Sequence, residues 1–358
     1  MLRGFLNVFI FKKANIWMDV LEIDLPKKII IGERTLEKVG DICKEIGLRN
    51  SATLFTDSNV VGIVGKKVLE VLESDGYRVE LRIIPERFDK SLMNLKNDGF
   101  TVGVGGGRSI DIAKMAAKTN KIPFISIPTA ISHDGIASNR AVIETWSIPA
   151  VIPTAIIIDT NVIMKSPYRL TAAGCGDMVA KLTAVADWEL SNKETGENIS
   201  EYVAEANKAS ANLIIRSAES IRKLETEGLR TLIESLVFSG ISMSIAGSSR
   251  PASGSEHLFS HALKLFYPQK TSLHGEECGL GTILCSYLHE MDWQRIARAL
   301  KTIGAPTNSQ ELGIPDEIIV KALSKAKDVR KDRYTILNYK AVDERKAKEA
   351  AKETGIIS

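Results

Sequence analysis

Between positions 257 and 274 lie three of the chain's five histidines, in Ser253-Gly-Ser-Glu-His257-Leu-Phe-Ser-His261-Ala-Leu-Lys264 and Ser272-Leu-His274-Gly-Glu276-Glu277. His257 and His261 are four apart, which places them on one face of a helix. Lys264 continues that stripe, with Leu258, Ala262 and Leu265 forming an apolar one beside it. Such a helix packs on its own domain and turns its histidines toward a cleft. His274 opens the next helical pattern after a short connection and can return to the same place. Imidazoles with a carboxylate suit zinc, which in catalytic sites takes three protein ligands and leaves one position open. Asp177, in Ala173-Gly-Cys-Gly-Asp177, is the candidate carboxylate, its glycines forming a short approach that aims the side chain. Spacing leaves open which two histidines would be ligands. It also leaves open a plain structural role, with Asp177 starting a helix and the histidines serving core or surface.

A second kind of chemistry is suggested by Gly103-Val-Gly105-Gly106-Gly107-Arg108-Ser109-Ile110-Asp111, which follows an apolar run and opens a helical one. Clustered glycines remove the Cβ atoms that would keep a phosphate from backbone N–H groups. The start of the following helix adds partial positive charge. Arg108 stands where a GxGxxG motif has its third glycine, and the Gly-Lys-Ser/Thr ending of a P-loop is missing. The alternative is a tight turn without a ligand, but four glycines in five positions exceed what a turn requires. The segment Thr129-Ala130-Ile131-Ser132-His133-Asp134-Gly135 leaves another strand at its carboxyl end, where open α/β sheets bind ligands. Its composition fits a cofactor contact or an ordinary loop equally. Asp57 ends a further strand and suits either a ribose hydroxyl or a helix cap.

These residues need elements to hold them. Lys28–Ile31, Ala52–Thr56, Arg78–Ile84, Phe100–Val104, Phe124–Ile127 and Ala155–Ile158 are expected as buried strands. Helical patterns at Leu36–Ile46, Val60–Glu73 and Ile110–Lys118 alternate with them, which implies a parallel sheet covered by helices. From Ser166 onward strand signals nearly vanish. Helical patterns cover 174–192, 200–224, 229–246, 254–266, 275–290 and 316–329. The expected class is therefore α/β, a Rossmann-like nucleotide-binding domain over residues 18–160 followed by an all-helical domain over 161–358. Asp159-Thr160-Asn161 caps the segment after the boundary. The cleft between two such domains is a preferred ligand site.

Bulk properties narrow the function classes. With 47 basic and 44 acidic residues and a formal charge of +3, the chain lacks the basic footprint of a nucleic-acid binder. Cys43, Cys175, Cys278 and Cys285 show no CxxC pair and no short disulfide framework, as expected for reduced thiols of a cytoplasmic protein. The apolar run Phe5–Phe11 is shorter than the roughly 20 residues that a spanning helix needs, and no signal-peptide cleavage site follows it. No stable membrane insertion is expected. Residues 1–17 are expected to be an extension, with Met18 the functional start.

Taken together, GVGGGRSIDIAK (103–114), PFISIPTAISHDGIAS (123–138), GCGDMVAKLTAVADWELS (174–191), SSRPASGSEHLFSHAL (248–263), SLHGEECGLGT (272–282) and RYTIL (333–337) resemble the archaeal sn-glycerol-1-phosphate dehydrogenases. That family belongs to the wider group of glycerol dehydrogenase, iron-type alcohol dehydrogenases and dehydroquinate synthase. The resemblance runs from about Pro26 to the C-terminus. It implies NAD(P)H-dependent, zinc-assisted reduction of dihydroxyacetone phosphate to sn-glycerol-1-phosphate, the backbone of archaeal ether lipids, by a cytoplasmic enzyme expected to be a homo-oligomer. It implies one zinc per subunit on Asp177, His257 and His274, with Asp177 and His261 as catalytic residues. Substrate contacts follow for Asp134, Asp177 and His261. NAD(H) or NADP(H) falls to Gly105, Gly106, Gly107, Arg108, Ser109, Thr129, Ala130, Ile131, Ser132 and Ser138. Lys264 departs from the family, which would more readily carry an acidic residue there. From their positions flanking the histidine segment, Arg250 and Lys264 are the candidates for the substrate phosphate. The nearest alternatives are a polyol dehydrogenase, a dehydroquinate synthase or a non-catalytic nucleotide- and metal-binding sensor. The complete Asp177, His257 and His274 set argues against the last.

Overall fold

The six expected runs form one parallel sheet: β1 (Lys28–Gly32), β2 (Ser51–Thr56), β3 (Arg78–Ile83), β4 (Phe100–Gly105), β5 (Phe124–Pro128) and, after two further strands, β8 (Ala155–Asp159). Its order is β1-β8-β5-β4-β2-β3. The computed structural model describes residues 22–48, 51–87, 89–96, 99–143 and 146–358, so the expectations about residues 1–17 and Met18 lie outside the described residues. The central strands β2, β4, β5 and β8 are buried along their whole length, which is why their sequences are nearly continuous in apolar residues. At one edge β3 alternates, with Arg78 and Glu80 exposed, a charged edge that resists further pairing. One element was not anticipated. β6 (Arg140–Ile143) and β7 (Trp146–Pro149) pair as an antiparallel hairpin between β5 and β8.

Helices α1 (Val39–Glu45), α2 (Lys66–Ser74) and α3 (Gly107–Asn120) link the strands. The chain runs from β2 outward to β3, then returns across β2 to β4. The order reverses there, so a crevice opens between the carboxyl ends of β2 and β4. Asp57 and the glycine loop border it. Asp57 caps the next turn, accepting from the N–H groups of Asn59 and Val60 at 2.9 and 3.2 Å, and its other oxygen accepts from the Ser109 hydroxyl at 3.2 Å.

After β8 the described chain is helical: α4 (Thr160–Ile163), α5 (Tyr168–Val179), α6 (Lys181–Thr195), α7 (Glu201–Arg216), α8 (Ala218–Arg222), α9 (Thr226–Ile245), α10 (Ser255–Phe266), α11 (His274–Leu288), α12 (Trp293–Ile303), α13 (Ser309–Leu312), α14 (Asp316–Val329), α15 (Ile336–Tyr339) and α16 (Glu344–Glu353). Asp159 caps α4 by accepting from the Asn161 N–H at 3.1 Å. The sheet has two differently covered faces. Leu54, Val102, Val104, Ile125, Ile127 and Ile157 pack with residues of α1 and α2. Phe55, Phe124, Ile156 and Ile158 join residues of α3, α5, α9, α10 and α11 in a single core. The helical half thus lies against one sheet face. No helix among the described residues is long and apolar enough to cross a membrane.

The glycines before Asp177 do not form an approach loop. Gly174 and Gly176 lie inside α5, where a Cβ on Gly176 would stand 2.2 Å from the Gly275 carbonyl oxygen. They let α5 and α11 cross closely, and this packing offsets the roughly 1 kcal/mol that glycine costs inside a helix.

Candidate metal and cofactor cleft

Three helices deliver the site. Asp177 comes from α5, His257 and His261 from α10, and His274 is the first residue of α11. The start of α11 is held by Glu276, which accepts from the Leu273 N–H at 2.8 Å and from the Arg169 guanidinium at 2.6 and 2.7 Å. One donor atom from each of Asp177, His257, His274 and Cys278 lies within 4.8 Å of all the others. His257 Nε2 is 3.6 Å from Asp177 Oδ1, and the His257 and His274 ring centroids are 4.9 Å apart.

The partners of the two imidazoles fix which nitrogen faces the cluster. His257 Nδ1 is 2.8 Å from the Glu256 carboxylate, which can only accept, so Nδ1 carries a proton and Nε2 is the nitrogen turned toward Asp177. Burial would raise the Glu256 pKa, but His257, the Gly254 N–H and the Thr183 hydroxyl outweigh it and hold the carboxylate below its ordinary range. His274 Nδ1 is 3.1 Å from the Ser260 hydroxyl. Ser260 donates its own proton to Glu277 at 2.6 Å, so it accepts from His274 and again leaves Nε2 free. Burial, reinforced by His257, pushes the His274 pKa well below normal. Two imidazoles that turn Nε2 toward a carboxylate, each held from behind through Nδ1, fit a divalent transition metal such as zinc.

The site also contains residues that spacing did not single out. Cys278 lies against the His274 ring, its sulfur 3.7 and 3.6 Å from Nδ1 and Nε2. Lys181 is wholly buried. Its ammonium donates to Asp177 Oδ1 at 3.0 Å and to the Ala252 carbonyl at 3.2 Å, and pairs with Asp134 Oδ2 at 2.9 Å. Burial alone would lower its pKa, but the two carboxylates reverse this and raise it. Asp134 is held below the usual carboxylate range against its own burial, by Lys181 and by the Ser239 hydroxyl at 2.7 Å. The Asp134 N–H donates to Asp177 Oδ2 at 2.8 Å. One oxygen of Asp177 is therefore tied to the backbone and the other faces His257. The helical i,i+4 spacing of Asp177 and Lys181 was a signal available in the sequence.

A cavity of about 720 Å³ joins this cluster to the sheet edge. Asp134, His257, His261, Lys264 and His274 line it together with Gly107, Arg108, His133 and Ser138. At the start of α3, Gly105 has φ 148°, a conformation that other residues rarely adopt. A Cβ there would stand 2.6 Å from the Ser109 hydroxyl oxygen. Gly106 is the N-cap and offers no side chain, so the first N–H groups of α3 are left for an anion. The other candidate cofactor residues sit behind this surface. Ser109 and Ile131 are fully buried and Ala130 nearly so, so their side chains belong to the packing behind the cavity. Ser138 is buried and its hydroxyl donates to the Arg140 carbonyl at 3.2 Å.

Arg250 is not placed as expected. It does not line the cavity and is almost wholly buried. Its guanidinium is bound to Glu197, the Tyr334 carbonyl at 2.9 Å and the Ser191 hydroxyl at 3.1 Å. With its donors engaged internally, it ties α6 to the α10 approach instead of meeting a ligand.

A parallel sheet bordered by an anion-binding helix start, facing a helical wall of metal donors, is the plan of a nicotinamide-dependent dehydrogenase with a metal site. Residues 30–167 match the family model for iron-containing alcohol dehydrogenase. Solved glycerol dehydrogenases share the fold. The enzyme from Schizosaccharomyces pombe superposes with a TM-score of 0.75 at 22% identity, covering 95% of this chain and 94% of its own. A probable glycerol dehydrogenase from Sinorhizobium meliloti gives 0.75 at 18%, covering 94% and 98%. Curated relatives are much closer in sequence. Glycerol-1-phosphate dehydrogenase [NAD(P)+] of Methanosarcina mazei is 46% identical over 93% of this chain and 94% of its own length, and that of Methanothermobacter thermautotrophicus 43% over 95% and 100%. The chain belongs to the glycerol-1-phosphate dehydrogenase [NAD(P)+] family of oxidoreductases.

Proposed function

We propose that this chain reduces dihydroxyacetone phosphate to sn-glycerol-1-phosphate with NADH or NADPH, using one zinc ion per subunit held by Asp177, His257 and His274. The observation that carries this reading is the convergence of an oxygen and two oriented imidazole nitrogens within 4.8 Å, in a cavity that also reaches the start of α3. A bound zinc ion would supply Lewis-acid character for the C2 carbonyl, and the nicotinamide supplies the hydride. The chain's own residues bind, orient and move a proton. Gly105 to Ser109 receive the cofactor pyrophosphate at the helix start, and Thr129 to Ser132 with Ser138 flank its sugar end. Asp134, fixed by Lys181 and Ser239, accepts from a substrate hydroxyl. His261 carries a buried Nδ1 with no partner, and as a neutral imidazole it can relay a proton from water, giving its N–H to the substrate oxygen while the other ring nitrogen takes up the replacement. Residues 18–160 would thus hold the cofactor and residues 161–358 the metal and substrate, in a cytoplasmic homo-oligomer that supplies the glycerophosphate backbone of archaeal membrane lipids.

Chiral analysis of the glycerol phosphate formed from dihydroxyacetone phosphate tests the reading; absence of the sn-1 product refutes it. Oxidation of NAD(P)H with dihydroxyacetone but not its phosphate would indicate a polyol dehydrogenase instead. His257→Ala and His274→Ala should each lose metal and activity together. Full turnover by chelated, zinc-free enzyme would remove the metal from the mechanism.

A further inference from the structure

Among the described residues, four lysine and arginine side chains line the cavity, and three are engaged. Arg108 donates to the carbonyls of Pro85 and Glu86. Arg140 donates to the hydroxyl and carbonyl of Ser147 at 3.2 and 2.7 Å. Arg330 pairs with Asp332 at 2.7 Å. Lys264, one turn beyond His261 on α10, is half-buried in the same wall. Among the described residues no hydrogen bond or ion pair satisfies it.

None of the acids that share the cavity is bonded to Lys264, and only Asp111 acts on it, from a distance. Asp134 is taken by Lys181 and Ser239. Asp111 accepts from the Val142 N–H at 2.8 Å and lies 3.6 Å from the Lys114 ammonium. Glu86 lies at the far end, beside Arg108. A partly desolvated ammonium without a bonded counter-charge is costly, and burial lowers the pKa of Lys264 against the opposing influence of Cys278 and Asp111. Its charge also reaches His261 and His274, which places it next to the reacting end of the cavity. Beside it, His261 presents its unpartnered buried Nδ1.

We propose that Lys264 anchors the phosphate of the substrate and is the residue by which this chain prefers dihydroxyacetone phosphate to dihydroxyacetone. The inference rests on the reaction proposed above and adds the group that selects its substrate. The other phosphate monoester available is the 2′-phosphate of NADPH. Lys264 stands on the histidine helix, one turn beyond His261, and that position beside the candidate metal and substrate residues favours the substrate.

The test is steady-state kinetics of the full-length, zinc-loaded enzyme carrying Lys264→Met or Lys264→Arg, with dihydroxyacetone phosphate, dihydroxyacetone, NADH and NADPH. Loss of a charged hydrogen bond predicts a rise of about ten- to a hundredfold in KM for dihydroxyacetone phosphate. kcat should change much less, the preference over dihydroxyacetone should fall in step, and the arginine variant should recover part of the loss. In the parent enzyme, inorganic phosphate should compete with dihydroxyacetone phosphate and not with NADH, a measurement that stands if a variant fails to fold. An unchanged KM for dihydroxyacetone phosphate, a rise confined to NADPH, or phosphate inhibition that is not competitive with the substrate overturns the assignment. A parent enzyme that does not reduce dihydroxyacetone phosphate overturns the proposed function itself.

Discussion

His261 and Lys181 show how individual side chains at this site are set by what surrounds them. Burial, followed by the nearby charges of His257 and Lys264, pushes the His261 pKa down to about 3. The imidazole is therefore neutral across the ordinary working range. In the unfolded chain it titrates near 6.5, so below that pH the unfolded state binds a proton that the folded state refuses. This contribution to stability is complete above about pH 6.5 and is lost as pH falls toward 3. His261→Asn should accordingly show a shallower fall in Tm between pH 6.5 and 4 than the parent, measured by thermal unfolding across that range. Equal slopes would show that His261 titrates normally. Lys181 acts in the opposite sense. Wedged between Asp134 and Asp177 at 2.9 and 3.0 Å, it holds Asp134 below the usual carboxylate range against the burial that would raise it. Cys43 has no such partner, and burial raises its thiol pKa to about 12, leaving it an unreactive core residue.

At the scale of elements, the candidate metal donors Asp177 and His274 meet because two helices cross without side chains between them. A Cβ at Gly275 would lie 1.9 Å from the Ala173 carbonyl oxygen, and one at Gly176 would lie 2.2 Å from the Gly275 oxygen. Backbone cannot yield as a flexible side chain can. Gly176→Ala or Gly275→Ala must therefore push α5 and α11 apart, carrying Asp177 away from His274. Overpacking of this kind costs about 1–3 kcal/mol. The expected outcome is a lower unfolding midpoint together with a weaker zinc affinity, read by competition with a chelator. Zinc affinity equal to that of the parent would show that the crossing does not set the donor spacing. The hairpin β6–β7 is a second element with a clear job. Arg140, Val142, Ile143 and Ser147 line the cavity, and the Val142 N–H is bound to Asp111 on α3 at 2.8 Å.

Over the whole molecule, the sheet and the helical half are not independent. One core contains Phe55, Phe124, Ile156 and Ile158 from the sheet together with Met178, Leu236, Leu258 and Leu280 from the helices. Asp187 adds a polar fastening. It accepts from the N–H groups of Ser255 and Ile336 at 2.6 and 2.7 Å and meets His289 at 3.0 Å, so it joins α6, α10, α11 and α15. A fragment ending at residue 160 would expose the sheet face that the helices cover. It should aggregate or bind a hydrophobic dye, whereas the full chain should unfold in a single transition followed by circular dichroism. A soluble, dye-negative fragment would show that the sheet half closes its own core. The same packing explains the continuous cavity, whose two walls are held in fixed relation by buried apolar surface.

The class of this protein was legible before any coordinates. Alternating apolar runs and helical periods placed all six sheet strands, because side-chain burial repeats with a local period. The glycine run marked a helix start, because few other residues tolerate φ near 148°. The histidine spacing marked a shared helix face for the same local reason. Other features depend on contacts between segments remote in sequence, which local spacing does not encode. Gly174 and Gly176 suggested a loop and proved to be a helix crossing, since only the position of α11 makes glycine necessary there. Arg250 suggested a ligand contact and proved to be held by Glu197, whose proximity depends on how α6 ends. Lys181 and Cys278 entered the site for a similar reason: each stands four residues after a candidate donor, but only the convergence of α5, α10 and α11 makes those donors one site. The sequence by itself determined which chemical groups this protein owns and the local elements that carry them. Tertiary packing decided which of those groups face one another across the cavity, because that depends on which helices the shared core brings together.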